Sequence, residues 1–124
     1  MSRYFVVLYL DSFSTTTSGD MSGQGEFYFK CKGHRYPNDG HVKLGENETF
    51  DPEPNLVFYS ALTENKEVEV DIQVMESDRL RDDKFIDYKN KFPVRATNET
   101  LVIKDKKGKC TLKVILRIEE ARNW

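Results

Sequence analysis

The segment "EVEVDIQV" at 67–74 alternates without exception: Val68, Val70, Ile72 and Val74 fall on one side, Glu67, Glu69, Asp71 and Gln73 on the other. Successive strand side chains point to opposite faces, so this is the signature of a half-buried strand; a helix would scatter the same valines around its circumference. A strand with one apolar face needs another apolar surface to cover it. Similar segments recur at 3–10, 26–32, 41–44, 55–62, 84–92, 100–105 and 110–118, rich in Val, Ile, Tyr and Phe. Turn residues separate them: Pro37-Asn38-Asp39-Gly40, Asp51-Pro52-Glu53-Pro54, and Asp105-Lys106-Lys107-Gly108, where glycine suits a positive φ. No segment has a helical repeat, although "YKNKF" and "EEARN" could each form one turn of helix. Eight short strands with regularly spaced turns predict an all-β, antiparallel β-sandwich.

The chain has 124 residues, enough for one domain, and no stretch reads as a linker, so residues 1–124 are expected to form a single unit. Charged residues make up 32%, yet the formal net charge is only −2, which argues against a nucleic-acid partner. No run approaches a membrane span, and "MSRYFVVLYLDSF" has too short an apolar core for a signal peptide. The expected location is cytoplasmic or peripheral to a membrane. Cys31 and Cys110 share parity with the apolar residues beside them, so both are expected to face the core; a disulfide between them is one state open to them, and without an export signal reduced thiols are the expected one.

Directly after the alternating strand, "VMESDRLRDDKFID" puts five acids, Glu76, Asp78, Asp82, Asp83 and Asp87, into residues 74–87. Such crowding is tolerated in a hydrated loop, where solvent screens the charges, or around a cation. Ca²⁺ takes six to eight oxygen ligands, largely carboxylates. A second acidic segment lies in the long connection 11–25, "DSFSTTTSGDMSGQG", which carries Asp11 and Asp20 and runs into Glu26. The acidic run after residue 75 lacks both the D-x-D-x-D-G opening and the closing glutamate of an EF-hand.

Over nearly its whole length the chain resembles C2 domains, the calcium- and phospholipid-binding β-sandwich modules. "GEFYFKC" stands where that family has a strand reading roughly D-P-Y-V-K-V, with Glu26 in the place of the leading carboxylate and Asp20 six residues before it. "VEVDIQVMESDRLRDDKFID" stands where the family has an alternating strand followed by spaced acids. Glu76 and Asp78 match the spaced pair, Asp82 and Asp83 the later carboxylates, and Ile86 the hydrophobe. "ENETFDPEPNLVFYSAL" and "GKCTLKVILRI" echo two further strands. Glutamate replaces the usual aspartate at 26 and 76, and Lys84 stands where the last aspartate would fall, so the resemblance is to a divergent member. It implies an eight-stranded C2-like Greek key with Ca²⁺ held by Asp20, Glu26, Glu76, Asp78, Asp82 and Asp83. It also implies that Met21 and Leu80 at the loop tips, with Arg79 and Arg81, contact a membrane once the ion has neutralised the acids.

The function expected is thus a non-enzymatic, calcium-binding module for calcium-dependent membrane or protein binding, with anionic phospholipid or a protein as partner. The alternatives are a β-sandwich that calcium merely stabilises and a carbohydrate-binding module. Cys31, His34 and His41 match no zinc-finger spacing, and the sequence holds no nucleophile elbow or phosphate-cradling glycine loop. Lys104, Lys106, Lys107 and Lys109 crowd one predicted hairpin, which suits either anionic lipid or an ordinary solubilising surface.

Overall fold

A computed structural model describes residues 2–16, 24–78 and 80–121. The strands are β1 (Arg3–Thr15), β2 (Gly25–Cys31), β3 (His34–Tyr36), β4 (Val42–Leu44), β5 (Thr49–Phe50), β6 (Val57–Thr63), β7 (Glu67–Glu76), β8 (Asp83–Pro93), β9 (Thr97–Lys104) and β10 (Cys110–Ala121). They form two five-stranded antiparallel sheets. One runs β5-β1-β10-β9 with β6 also on β1; the other runs β3-β2-β7-β8 with β4 also on β2. The inward faces of the two sheets supply one core. Val70, Ile72 and Val74 of β7 meet Leu8, Leu112, Leu116 and Ile118 of the other sheet in the same buried cluster. The two-sheet sandwich is the architecture that the alternation demands, since each apolar face covers the other.

Two bulges and one strand extension matter for the end of the sandwich that carries the acidic connection after β7. β1 continues five residues beyond Leu10, because a bulge between Leu10 and Ser12 inserts Asp11. Before it the inward residues are Val6, Leu8 and Leu10; after it they are Phe13 and Thr15. A bulge leaves two residues opposite one and so conceals the continuation of a strand from a period-two reading. In β8 a register shift between Val74 and Met75 of its partner leaves Phe85 as the extra residue, and its ring packs edge-on against Phe27 at 5.5 Å. β7 itself does not end at Met75. Glu76 continues the inward parity of Val70, Ile72 and Val74 and is only 5% exposed.

"YKNKF" and "EEARN" are not helical in their described parts: Tyr88–Phe92 lie in β8 and Glu119–Ala121 in β10. Two strands were too short to read from sequence. β3 and β5 have only three and two residues and lie between turns, with no apolar alternation of their own. Cys31 and Cys110 are both buried, both free, and both pushed up by burial, to about 11 and about 12. The Asp105 hairpin forms as expected, with Gly108 at φ +69°.

Candidate functional site

Pairing brings Glu26 at the start of β2 and the acidic connection after β7 to one end. Phe27 of β2 stands opposite Glu76 of β7, and Glu76 stands opposite Asp83 of β8. The Ser77 N–H donates to the Glu26 carbonyl at 2.8 Å, so the acidic connection after β7 leaves from beside the first residues of β2. A third connection joins them. Buried Thr15 at the end of β1 donates its hydroxyl to the Gly45 carbonyl at 2.6 Å and its N–H to the Glu48 carbonyl at 2.9 Å. The Glu48 carboxylate closes that turn by accepting the Gly45 N–H at 2.7 Å.

Beneath this end lies an aromatic layer. Phe13 packs edge-on against Phe27 at 5.1 Å and against Phe29 at 5.2 Å. Gly25 fits there because it has no side chain: a Cβ would stand 2.6 Å from a Phe27 ring carbon and 2.8 Å from Glu76 Oε2. The buried Glu76 carboxylate therefore lies at the rim of the core, against the start of β2.

The side chains do not all point the same way. Glu76 and its opposite residue Phe27 are inward, whereas Glu26, one residue earlier, belongs to the outer face with Tyr28. There Glu26 stands 3.9 Å from the Lys43 ammonium on β4. Asp78 and Asp82 meet within their own connection, where the Asp78 N–H donates to Asp82 Oδ1 at 3.2 Å. The other Asp82 oxygen accepts the Tyr28 hydroxyl. These hydrogen bonds, Tyr28's first, favour the charged form and hold the Asp82 carboxyl below the usual carboxylate range. Burial, then the hydrogen bond to Asp82 and its charge, pushes the Tyr28 phenol up to about 12, with Arg35 opposing.

Arg35 completes this outer-face cluster. Its guanidinium lies over the Tyr28 ring at 4.3 Å, a cation–π arrangement, and donates to the Pro37 carbonyl at 2.5 Å and the Gly40 carbonyl at 2.9 Å. Alternation alone consigns Tyr28 to the solvent face, yet it is 8% exposed under Arg35 and beside His41. The available sequence clue is a tyrosine on the polar parity of an otherwise polar-faced strand. Among the metal-spacing candidates, Cys31 faces the core and His34 packs edge-on against Tyr59 at 5.6 Å.

Of the residues singled out from sequence, Glu26, Glu76, Asp78, Asp82 and Asp83 stand at one end, while Asp20, Met21 and Arg79 lie outside the described residues. Leu80 is 96% exposed and Arg81 is exposed. The donor chemistry, carboxylate oxygens on a hard-ligand pattern, suits Ca²⁺. Among the described residues, however, no three His, Cys, Asp or Glu side chains are grouped so as to hold one ion. The geometry gives the reason: Glu26 leaves on the outer face, Glu76 on the inner, and Asp82 is turned to Tyr28. No helix among the described residues is long and apolar enough to cross a membrane.

No family model matches the sequence, and no curated protein does. The solved structures do. The fold is similar to that of a C2 domain at 12% identity and a TM-score of 0.50, over 96% of this chain and 99% of the other. It is also similar to the crystal structure of a C2 domain protein from Ramazzottius varieornatus, at 9% identity and a TM-score of 0.52, over 96% of this chain and 89% of that one. Identities this low speak to architecture alone, and on architecture the two agree: this chain has the C2-like β-sandwich fold.

Proposed function

We propose that residues 1–124 form one calcium-binding module, non-catalytic, in which Asp20, Glu26, Glu76, Asp78, Asp82 and Asp83 hold the ion. The loaded end then docks on an anionic membrane or a protein partner at the cytoplasmic face. The observation that supports this most is the hydrogen bond from Ser77 N–H to the Glu26 carbonyl, by which the acidic connection after β7 leaves from beside the start of β2. Ca²⁺, when bound, supplies the positive charge that lets crowded carboxylates share a site. The pairing of Glu76 with Asp83 across β7 and β8 supports their place in this set, and on this reading Asp82 exchanges Tyr28 for the ion.

Thermal unfolding in calcium and in chelator tests the reading. A ligand that binds only the folded state adds about 2.7 kcal/mol at a hundredfold excess over its dissociation constant. Glu26→Gln and Asp78→Asn should abolish most of that gain, and Asp51→Asn, in an unrelated turn, should leave it intact. An unchanged melting temperature in millimolar calcium rejects the proposal.

A further inference from the structure

We infer that the outer face of the sheet containing β6, β1, β10 and β9 pairs with the same face of a second copy of this chain, independently of calcium. Register fixes which side chains share that face. Phe5 stands opposite Leu62 of β6, and Tyr9 stands between Val57 of β6 and Ile115 of β10. Val7 lies between these two rows, and Val102 of β9 adjoins Ile115 diagonally, one pair further along β10. On β1 and β10 these residues have the parity opposite to the buried Val6, Leu8, Val114 and Leu116, so they point away from the core. Three of the four exposed large hydrophobic residues among those described lie here, Val57, Leu62 and Val102, each about half exposed. Only Leu80 of that group lies elsewhere.

Strand propensity does not account for this face. Aromatic and β-branched cross-strand pairs do stabilise a sheet, but that advantage acts on both sheets alike. On the outer face of the other sheet the opposed residues are Asp71 with Lys89 and Glu69 with Lys91, and the Lys89 ammonium stands 3.8 Å from the Asp71 carboxylate. The aromatic on that face, Tyr28, opposite Met75, is covered by the Arg35 guanidinium. An antiparallel sheet with one face in water alternates apolar inward and polar outward. One sheet of this sandwich keeps that rule, whereas the other carries a continuous apolar band from Leu62 to Val102. Contiguous exposed apolar surface beyond a few hundred Å² marks an interaction site.

Area and charge both favour a second copy as the occupant. Four strands about 4.8 Å apart, each some ten residues long at about 3.3 Å per residue, give a footprint of roughly 600 Å². Two such faces together reach the lower bound of the roughly 1,200–2,000 Å² buried in a stable interface, and side-chain relief adds to that. Beside the apolar band, β10 carries Arg117 and Glu119, paired with each other and both exposed. A partner of single sign would oppose one of them; a two-fold copy brings both signs in equal number, as an isologous contact requires. Lys113 and Lys104 stand at the margin toward β9, which limits the overlap to the β6–β1–β10 side. The acidic connection leaves from the end of the other sheet, beside β2, so pairing leaves it uncovered.

Sedimentation velocity of the whole chain in chelator, from micromolar to millimolar concentration, tests the inference. The chain should pass from monomer to dimer, and the amides that shift with concentration should be those of residues 5–9, 57–62 and 113–117. The Val57→Lys/Leu62→Lys variant puts unpaired ammonium groups into the contact and should raise the dissociation constant by about tenfold or more. Arg117→Glu, at an exposed position where the fold tolerates a change, leaves each copy with like charges at 117 and 119 and should weaken pairing by a similar factor; it decides the matter should the first variant lose its β-sheet circular dichroism. Glu69→Lys/Lys91→Glu, on the outer face of the other sheet, should pair as the parent does. A chain that stays monomeric at millimolar concentration, a dimer that both face variants leave unchanged, or concentration-dependent shifts confined to residues 69–75 and 87–91 overturns the inference. Because chelator is present throughout, either result leaves the calcium proposal to its own test.

Discussion

Tyr28 shows how much one side chain on the outer face can settle. Its hydroxyl holds Asp82, its ring carries the Arg35 guanidinium, and its phenol is raised to about 12 from an ordinary 10.0. The fold favours the neutral phenol, so this contribution to stability is fully present below pH 10 and is lost as pH rises toward about 12. Asp82 has the opposite sense. Its pKa is depressed, so its contribution is present above the ordinary carboxylate value of 3.8 and fades as pH falls through the lower folded value. A rapid alkaline pH jump, read by tyrosinate absorbance before unfolding, should show a phase near pH 12 that Tyr28→Phe removes. If the variant keeps that phase, another tyrosine is responsible and the Tyr28–Asp82 contact does not form. Gly25 gives a second residue-scale expectation. Gly25→Ala drives a methyl into the Phe27 ring and the Glu76 carboxylate and should destabilise by about 1–3 kcal/mol in denaturant unfolding, as overpacking does.

Among the elements, β1 is the least regular and the most informative. It is the centre of its sheet, pairing β10 along its length and both β6 and β5 on its other edge, and the Asp11 bulge shifts its inward set from even to odd positions. Deleting Asp11 would restore simple alternation, with Leu10 and Phe13 both still inward and Ser12 still opposite Lys113. Deleting Val7 instead would turn Val6 and Tyr4 to the wrong face relative to Leu8, because a one-residue slip reverses every side chain on one side of it. Circular dichroism and thermal unfolding should therefore find the Asp11 deletion folded and the Val7 deletion unfolded; equal loss would mean that the bulge itself is indispensable. The same strand explains the aromatic layer. Phe13 meets Phe27 and Phe29 only because β1 continues past the bulge, and Phe27→Ala should cost about 3–5 kcal/mol, the usual range for emptying a buried aromatic site.

For the whole molecule, the distribution of charge around one end governs what it can meet. The acidic connection after β7 and the lysine hairpin before β10 share that end, since Asp83 borders both the acidic row and a cleft beside that hairpin. Leu80, almost wholly exposed in the acidic connection, would gain roughly 25 cal/mol for each Å² it buries in a membrane interface. Leu80→Ala should then reduce sedimentation with anionic vesicles in calcium while leaving calcium affinity unchanged; calcium-loaded protein that stays in the supernatant at low salt rejects docking. The strands and their inward faces were legible in the sequence because alternation is a local property: Val68, Val70, Ile72 and Val74 declare a face without reference to anything distant. Even there, the bulge at Asp11 hides Phe13 and Thr15, and the inward Glu76 reads as the start of a loop, since a carboxylate breaks a hydrophobic pattern without breaking a strand. Which groups meet across the fold is not local. Tyr28 and Asp82 lie 54 residues apart, and Lys84 and Lys107 face one cleft from different sheets. Only pairing register and the packing of sheet on sheet decide such meetings, because they fix the distances between strands that the sequence of each strand leaves open.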